Sequence, residues 1–165
     1  MCPFCGSVSS ACCPDCGNII PNTALDDPFS SIAVVGSAMS GKTVFLTVAL
    51  SELRSKVRYL ALSPLTRETF LWLKRNEEDL FFDGRPLVYM PPVRQPLIWR
   101  IVNFHHRIGK TLSKHTVTIL DVCGDLMNDV DILASEYLKN CSSILFVADP
   151  LKMHGVKQTT VIDKE

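Results

Sequence analysis

No apolar run in this chain approaches the roughly 18 residues that a membrane-spanning helix requires. The longest, near Val44 to Leu50 and Ile144 to Ala148, stop far short, so no bilayer span and no membrane partner are expected. An excess of either charge is also missing. Seventeen Lys and Arg residues balance seventeen Asp and Glu residues, which removes the bulk electrostatic footprint of a nucleic-acid or anionic-surface binder. The opening residues, Met1 and Cys2, do not begin a basic segment followed by an apolar one. No secretory leader is readable, and a reducing cytoplasm is the expected compartment. Internal repeats and low-complexity tracts are lacking too. What is present is a globular composition, 47% hydrophobic and 21% charged over 165 residues, enough for one domain and a small accessory module.

Cysteine is unevenly spread, with five of the seven in the first sixteen residues. In a reducing compartment such crowding reads as a metal site before it reads as disulfides. Cys2-Pro-Phe-Cys5 and Cys13-Pro-Asp-Cys16-Gly17 are two Cys-x-x-Cys turns separated by seven residues. Each turn can wrap two thiolates onto one tetrahedral Zn²⁺, and the two together close the shell, which makes the expected site structural. Cys12 competes with Cys13 for the third place, but only Cys13 keeps the two-residue spacing to Cys16. A redox dithiol is the other reading of each turn, and no thioredoxin-like strand context accompanies it. The Cys-Pro-x-Cys-Gly form resembles the short bacterial zinc ribbons found as N-terminal appendages. Residues 1–20 are therefore expected to form a zinc ribbon, and 21–30, with Pro21, Asn22, Asp26, Asp27 and Pro28, a linker.

From residue 31 the pattern changes to apolar runs alternating with amphipathic stretches. Ser31 to Gly36 suits a strand buried on both faces. A helix is expected over 41–56, with Val44, Val48 and Leu53 inward, followed by a strand over 57–62. Ser63-Pro64 reads as the start of a helix that ends at Asp83-Gly84. Leu97 to Phe104 and His115 to Asp121 read as an antiparallel pair. Leu126, Val130, Leu133 and Tyr137 step by four, three and four along one helical face, and Ile144 to Ala148 is the last expected strand.

Gly36-Ser37-Ala38-Met39-Ser40-Gly41-Lys42-Thr43 fits the phosphate-loop pattern G-x-x-x-x-G-K-[ST] in full. A chance match at this length is on the order of one chain in a hundred. The chemistry needs a strand before the loop and a helix after it, because backbone N–H groups and the helix N-terminus must converge on phosphate oxygens. In that arrangement the Lys42 ammonium contacts the β- and γ-phosphates and the Thr43 hydroxyl holds Mg²⁺. The remaining reading is a glycine-containing turn with an incidental lysine.

Asp121 ends an apolar strand and Gly124 follows three residues later. An aspartate placed there can hold Mg²⁺ and the glycine N–H can meet the γ-phosphate. Alone, Asp-x-x-Gly is a common turn; 78 residues after a phosphate loop it gains weight.

Loop, hairpin, Asp121-Val-Cys-Gly124 turn and Ile144-Leu-Phe-Val-Ala-Asp149-Pro together resemble the translation-factor-related P-loop GTPases, and within them the bacterial double-GTPase-like group. The resemblance covers roughly residues 31–150. It implies an α/β three-layer sandwich with a mostly parallel sheet over 31–165, and a GTP-dependent switch with slow hydrolysis. Two departures stand out. Asp125 occupies the place of the water-orienting glutamine, and either orients water or caps the following helix. No Asn/Thr-Lys-x-Asp motif follows Asp149, so the preference for GTP over ATP comes from the resemblance alone. In the resembled fold further strands lie beyond Ile144 to Ala148. The domain is therefore expected to be incomplete at its C-terminus, leaving that strand as an apolar edge open to a protein partner. The zinc ribbon is the other expected partner surface.

The rivals to a switch are a nucleotide-binding module without turnover and a P-loop ATPase or kinase. Thr66 and Thr69 are the candidates for a switch threonine, with helix surface the plainer reading for both. Trp72 and Trp99 are expected in the core, and His105, His106, His115 and His154 in solvated or packing roles.

Overall fold

The structure is a computed structural model that describes residues 2, 4, 11–15, 17–85, 87, 96–105, 110–122 and 136–150. It is an α/β protein. After a short helix α1 (Asn22–Asp26), the order is β1 (Phe29–Val35), α2 (Lys42–Lys56), β2 (Leu60–Pro64), α3 (Arg67–Glu77), β3 (Leu97–His105), β4 (Lys110–Asp121), α4 (Glu136–Asn140) and β5 (Ser143–Phe146). One sheet runs β2-β3-β4-β1-β5.

The sheet is mixed and parallel in part. β1 pairs in parallel with β4 and β5, whereas β3 pairs antiparallel with both β2 and β4 and so runs against the other four strands. β2 is the strand expected over 57–62, shifted to Leu60–Pro64 and paired on the far side of the hairpin. Sequence puts Ser63-Pro64 at a helix start; both residues instead close β2, with Pro64 opposite Trp99. An outer strand tolerates proline because one row of its backbone groups has no ladder partner. The helix then begins at Arg67, capped by Thr66, whose hydroxyl accepts from the Thr69 N–H. A wider π-type turn over Glu78–Phe82 carries the chain to Asp83 and to Gly84, the expected end, at φ +60°. Residues 22–26 and 29–30 of the expected linker are helix and strand.

Successive residues of β1 face opposite sides. Val34 joins Leu46 and Leu50 of α2, Trp72 and Leu73 of α3, and Leu62, Leu97, Trp99 and Ile119 in the larger core. Ala33 and Val35 join Val122 on the other face, with Leu120, Leu138 and Cys141 packed against them. Both tryptophans are core residues as expected.

The expected inward face of α2 is wrong. Val44, Val48 and Leu53 are exposed, and Lys42, Leu46, Thr47 and Leu50 face inward. Apolar residues lie all round this helix, so periodicity alone has no preferred phase; the turn at Gly41 sets it. Among the described residues no helix is long and apolar enough to cross a membrane. The helix expected from Leu126 lies mostly outside the described residues.

Thr69 is not on the helix surface but fully buried, and its Oγ1 accepts from the Ile98 N–H at 2.9 Å. Replacing it with the near-isosteric valine, Thr69→Val, leaves that backbone donor unpaired inside the protein. The variant should lose about 1–3 kcal/mol of unfolding free energy, measured by urea titration followed by tryptophan fluorescence; an unchanged midpoint would show that this bond does not hold α3 to β3.

Candidate functional site

The Gly36–Thr43 segment connects the C-terminal end of β1 to α2, the strand-to-helix context that phosphate binding needs. Its curl has visible causes. Gly41 takes φ +86° and Met39, 91% exposed, takes φ +56°. A Cβ at Gly36 would lie 2.1 Å from the Val147 carbonyl oxygen and 3.1 Å from Ser40 Oγ, so no side chain fits there. Val147 is held in place by its own N–H, which donates to Val35 O at 2.8 Å.

Helix α2 starts without a side-chain cap and without an acidic residue in its first turn. Its leading N–H groups and the positive end of its dipole are left for an anion. Arg54 and Lys56 sit at the opposite end, where cations are favoured.

Lys42 is 7% exposed, and its Nζ donates to Gly36 O at 3.0 Å, Ser37 O at 2.8 Å and, at the limit of bonding distance, Ser40 Oγ at 3.5 Å. Among the described residues no carboxylate lies within ion-pair distance of it. With neutral oxygens as its direct acceptors and the Asp121 charge only nearby, this buried ammonium keeps a demand for negative charge. Phosphate oxygens at the same loop would meet it.

Thr43 Oγ1 donates to Asp121 Oδ2 at 2.8 Å, joining residues 78 positions apart. The contact follows from topology. Asp121 is the last residue of β4 and pairs with Val34 in parallel register, so it comes level with the start of the loop. Two oxygen-bearing side chains beside a lysine suit a hard divalent cation, and the donor set fits Mg²⁺. Burial pushes the Asp121 carboxyl above its ordinary pKa, while the Thr43 hydroxyl and the Lys42 charge pull it back.

Of the expected nucleotide residues, Gly36 through Thr43 and Asp121 are thus brought together. Gly124 and Asp125 lie outside the described residues. The close approach of Val147 to Gly36 was missed, since a backbone carbonyl leaves no mark in sequence.

In the N-terminal segment, Cys2 and Cys13 are both buried in one cluster with Ile20 and Ala24. Cys13 O accepts from the Gly17 N–H at 2.9 Å, with Gly17 at φ +69°, and Cys12 bridges Ile19 in antiparallel fashion. Cys12 is exposed and Cys13 is buried. Cys5 and Cys16 are outside the described residues, and among the described ones no three metal-ligating side chains converge. Cys2 and Cys13 share one buried cluster, and Cys13 lies on the tight turn that Gly17 closes.

His115 accepts or donates a 2.8 Å bond with Ser30 Oγ, a packing role away from the loop. Comparison with protein-family models, with curated proteins and with solved structures finds no match to this chain.

The raised pKa of Asp121 fixes the sign of a pH effect. Protonation is easier in the folded chain, so the ionised carboxylate costs stability; the cost is absent below the ordinary value of 3.8 and grows as pH rises through the folded pKa. Asp121→Asn, which keeps the Thr43 bond, should raise the melting temperature of the ligand-free, metal-free protein at pH 7 and leave it unchanged near pH 3.5. Scanning calorimetry at the two pH values checks this.

Proposed function

We propose that the chain binds a nucleoside triphosphate with Mg²⁺ and hydrolyses it slowly, as a GTPase-type switch. The observation that carries the reading is the 2.8 Å bond from Thr43 to Asp121 beside a glycine loop whose lysine is held by backbone carbonyls. A strand-to-helix turn with an incidental lysine has no reason to meet a carboxylate from a separate strand at that point.

In this proposal the α2 N–H groups and Lys42 bind the β- and γ-phosphates, with Lys42 giving up its bonds to Gly36 and Ser37 to do so. Thr43 and Asp121 would hold Mg²⁺, which when bound neutralises charge on the transferred phosphoryl group. Gly124 is assigned to the γ-phosphate and Asp125 to the attacking water. A charged, short side chain where a glutamine would orient water accounts for slow turnover. The hairpin β3–β4, with its second strand beside β1, supports the likeness to translation-factor-related GTPases, and GTP over ATP rests on that likeness alone. Zn²⁺ at Cys2, Cys5, Cys13 and Cys16 completes the proposal. A protein partner is assigned to the zinc segment or to the β5 edge, where Ile144 and Phe146 are 62% and 65% exposed.

Purified protein should release phosphate from GTP only with Mg²⁺, at a rate that falls at least about tenfold in Lys42→Ala, the loss expected for one charged contact to the transferred group. Tight nucleotide binding without release would replace the switch with a non-hydrolysing module. A tenfold preference for ATP in competition binding would replace it with an ATPase or kinase.

A further inference from the structure

The cysteine-bearing segment shares a core with the sheet domain. Leu65, in the connection between β2 and α3, packs against the cluster of Cys2, Cys13, Ile20 and Ala24. The Leu65 N–H donates to Ile98 O of β3 at 2.9 Å, and Ile98 N–H in turn donates to Thr69 of α3. Leu65 is therefore fixed to β3, which is itself tied to α3.

A second tie is ionic. Arg100 of β3 donates from Nε and Nη2 to Asp27 at 2.6 and 3.1 Å, and the two side chains are only 22% and 7% exposed. This forked geometry, largely withdrawn from solvent, resists separation more than a surface pair does. A third tie runs along the backbone, from Thr116 N–H to Pro28 O at 2.8 Å. Between Ile20 and Phe29 the chain is anchored by α1, by Asp27 and by Pro28, with no slack.

We infer that the N-terminal cysteine segment is a metal-dependent brace on the β3–α3 corner, so that metal occupancy and folding of the α/β body form one equilibrium. The inference rests on the zinc reading of the two Cys-x-x-Cys turns. A segment this short has little core of its own, so metal binding supplies its folding energy. Whatever orders Cys2 and Cys13 also orders the surface on which Leu65 sits. By linkage, the body then stabilises the metal as much as the metal stabilises the body.

Both tryptophans, Trp72 and Trp99, lie in the α/β core and none occurs in residues 1–28. Tryptophan fluorescence thus reports the body alone, while zinc release to a chromogenic chelator reports the segment. The full reduced chain is melted with zinc bound and after chelation, with zinc content measured on the same samples. Chelation should lower the tryptophan midpoint by roughly 5 °C or more, or abolish the folded signal outright, and zinc release should track the tryptophan transition. Leu65→Ala should halve that shift or better while still binding one zinc; Asp27→Asn serves the same purpose if Leu65→Ala does not fold. Equal tryptophan midpoints with and without zinc overturn the coupling and leave the zinc reading standing. Purified protein without zinc overturns both.

Discussion

The structure depends on the parallel seating of β1 between β4 and β5. Three strands that run the same way end at the same edge of the sheet, and Val35, Asp121 and Phe146 arrive there together. Ligands of open α/β sheets collect outside such carboxyl ends, because the loops that leave them converge. The loop after β1, the carboxylate of β4 and the carbonyl that follows β5 are neighbours for that reason. Burial enforces the arrangement: Ala33 and Val34 are fully enclosed, one on each face, so a one-residue slip of β1 would exchange the contents of the two cores.

Much of this site was legible because its chemistry is local. A phosphate-binding turn needs glycines, lysine and threonine at fixed spacing, and Gly36 to Thr43 shows them in eight consecutive residues. Asp121 was found by a weaker signal, the end of an apolar run, and the parallel register supplied what the spacing could not. The phase of α2 was illegible for a physical reason. Its apolar residues surround the axis, so Val44 and Leu46 are equally plausible inward residues until the loop geometry fixes the rotation. Pro64 misled because a proline that starts a helix and a proline that ends an outer strand read the same in one dimension.

The long-range ties were illegible altogether. Asp27 with Arg100, Leu65 with the buried cysteines and Thr69 with the Ile98 amide each join segments whose separation carries no periodic mark. They nevertheless decide how the two parts of the chain relate. Residues 21–30 look like a linker by composition, since proline, asparagine and aspartate favour turns. In three dimensions Ala24, Asp27 and Pro28 tie the same residues to the buried cysteines, to Arg100 and to Thr116.

Lys42 has a consequence for how the site passes between states. Its ammonium already has acceptors: the carbonyls of Gly36 and Ser37 hold it inside the loop. Under the nucleotide-binding proposal, a phosphate would displace existing bonds and not meet a bare charge, and its departure would return the cation to acceptors already in place. The loop works as its own placeholder. The curve of the backbone itself is kept by Gly41 and by the steric limit at Gly36.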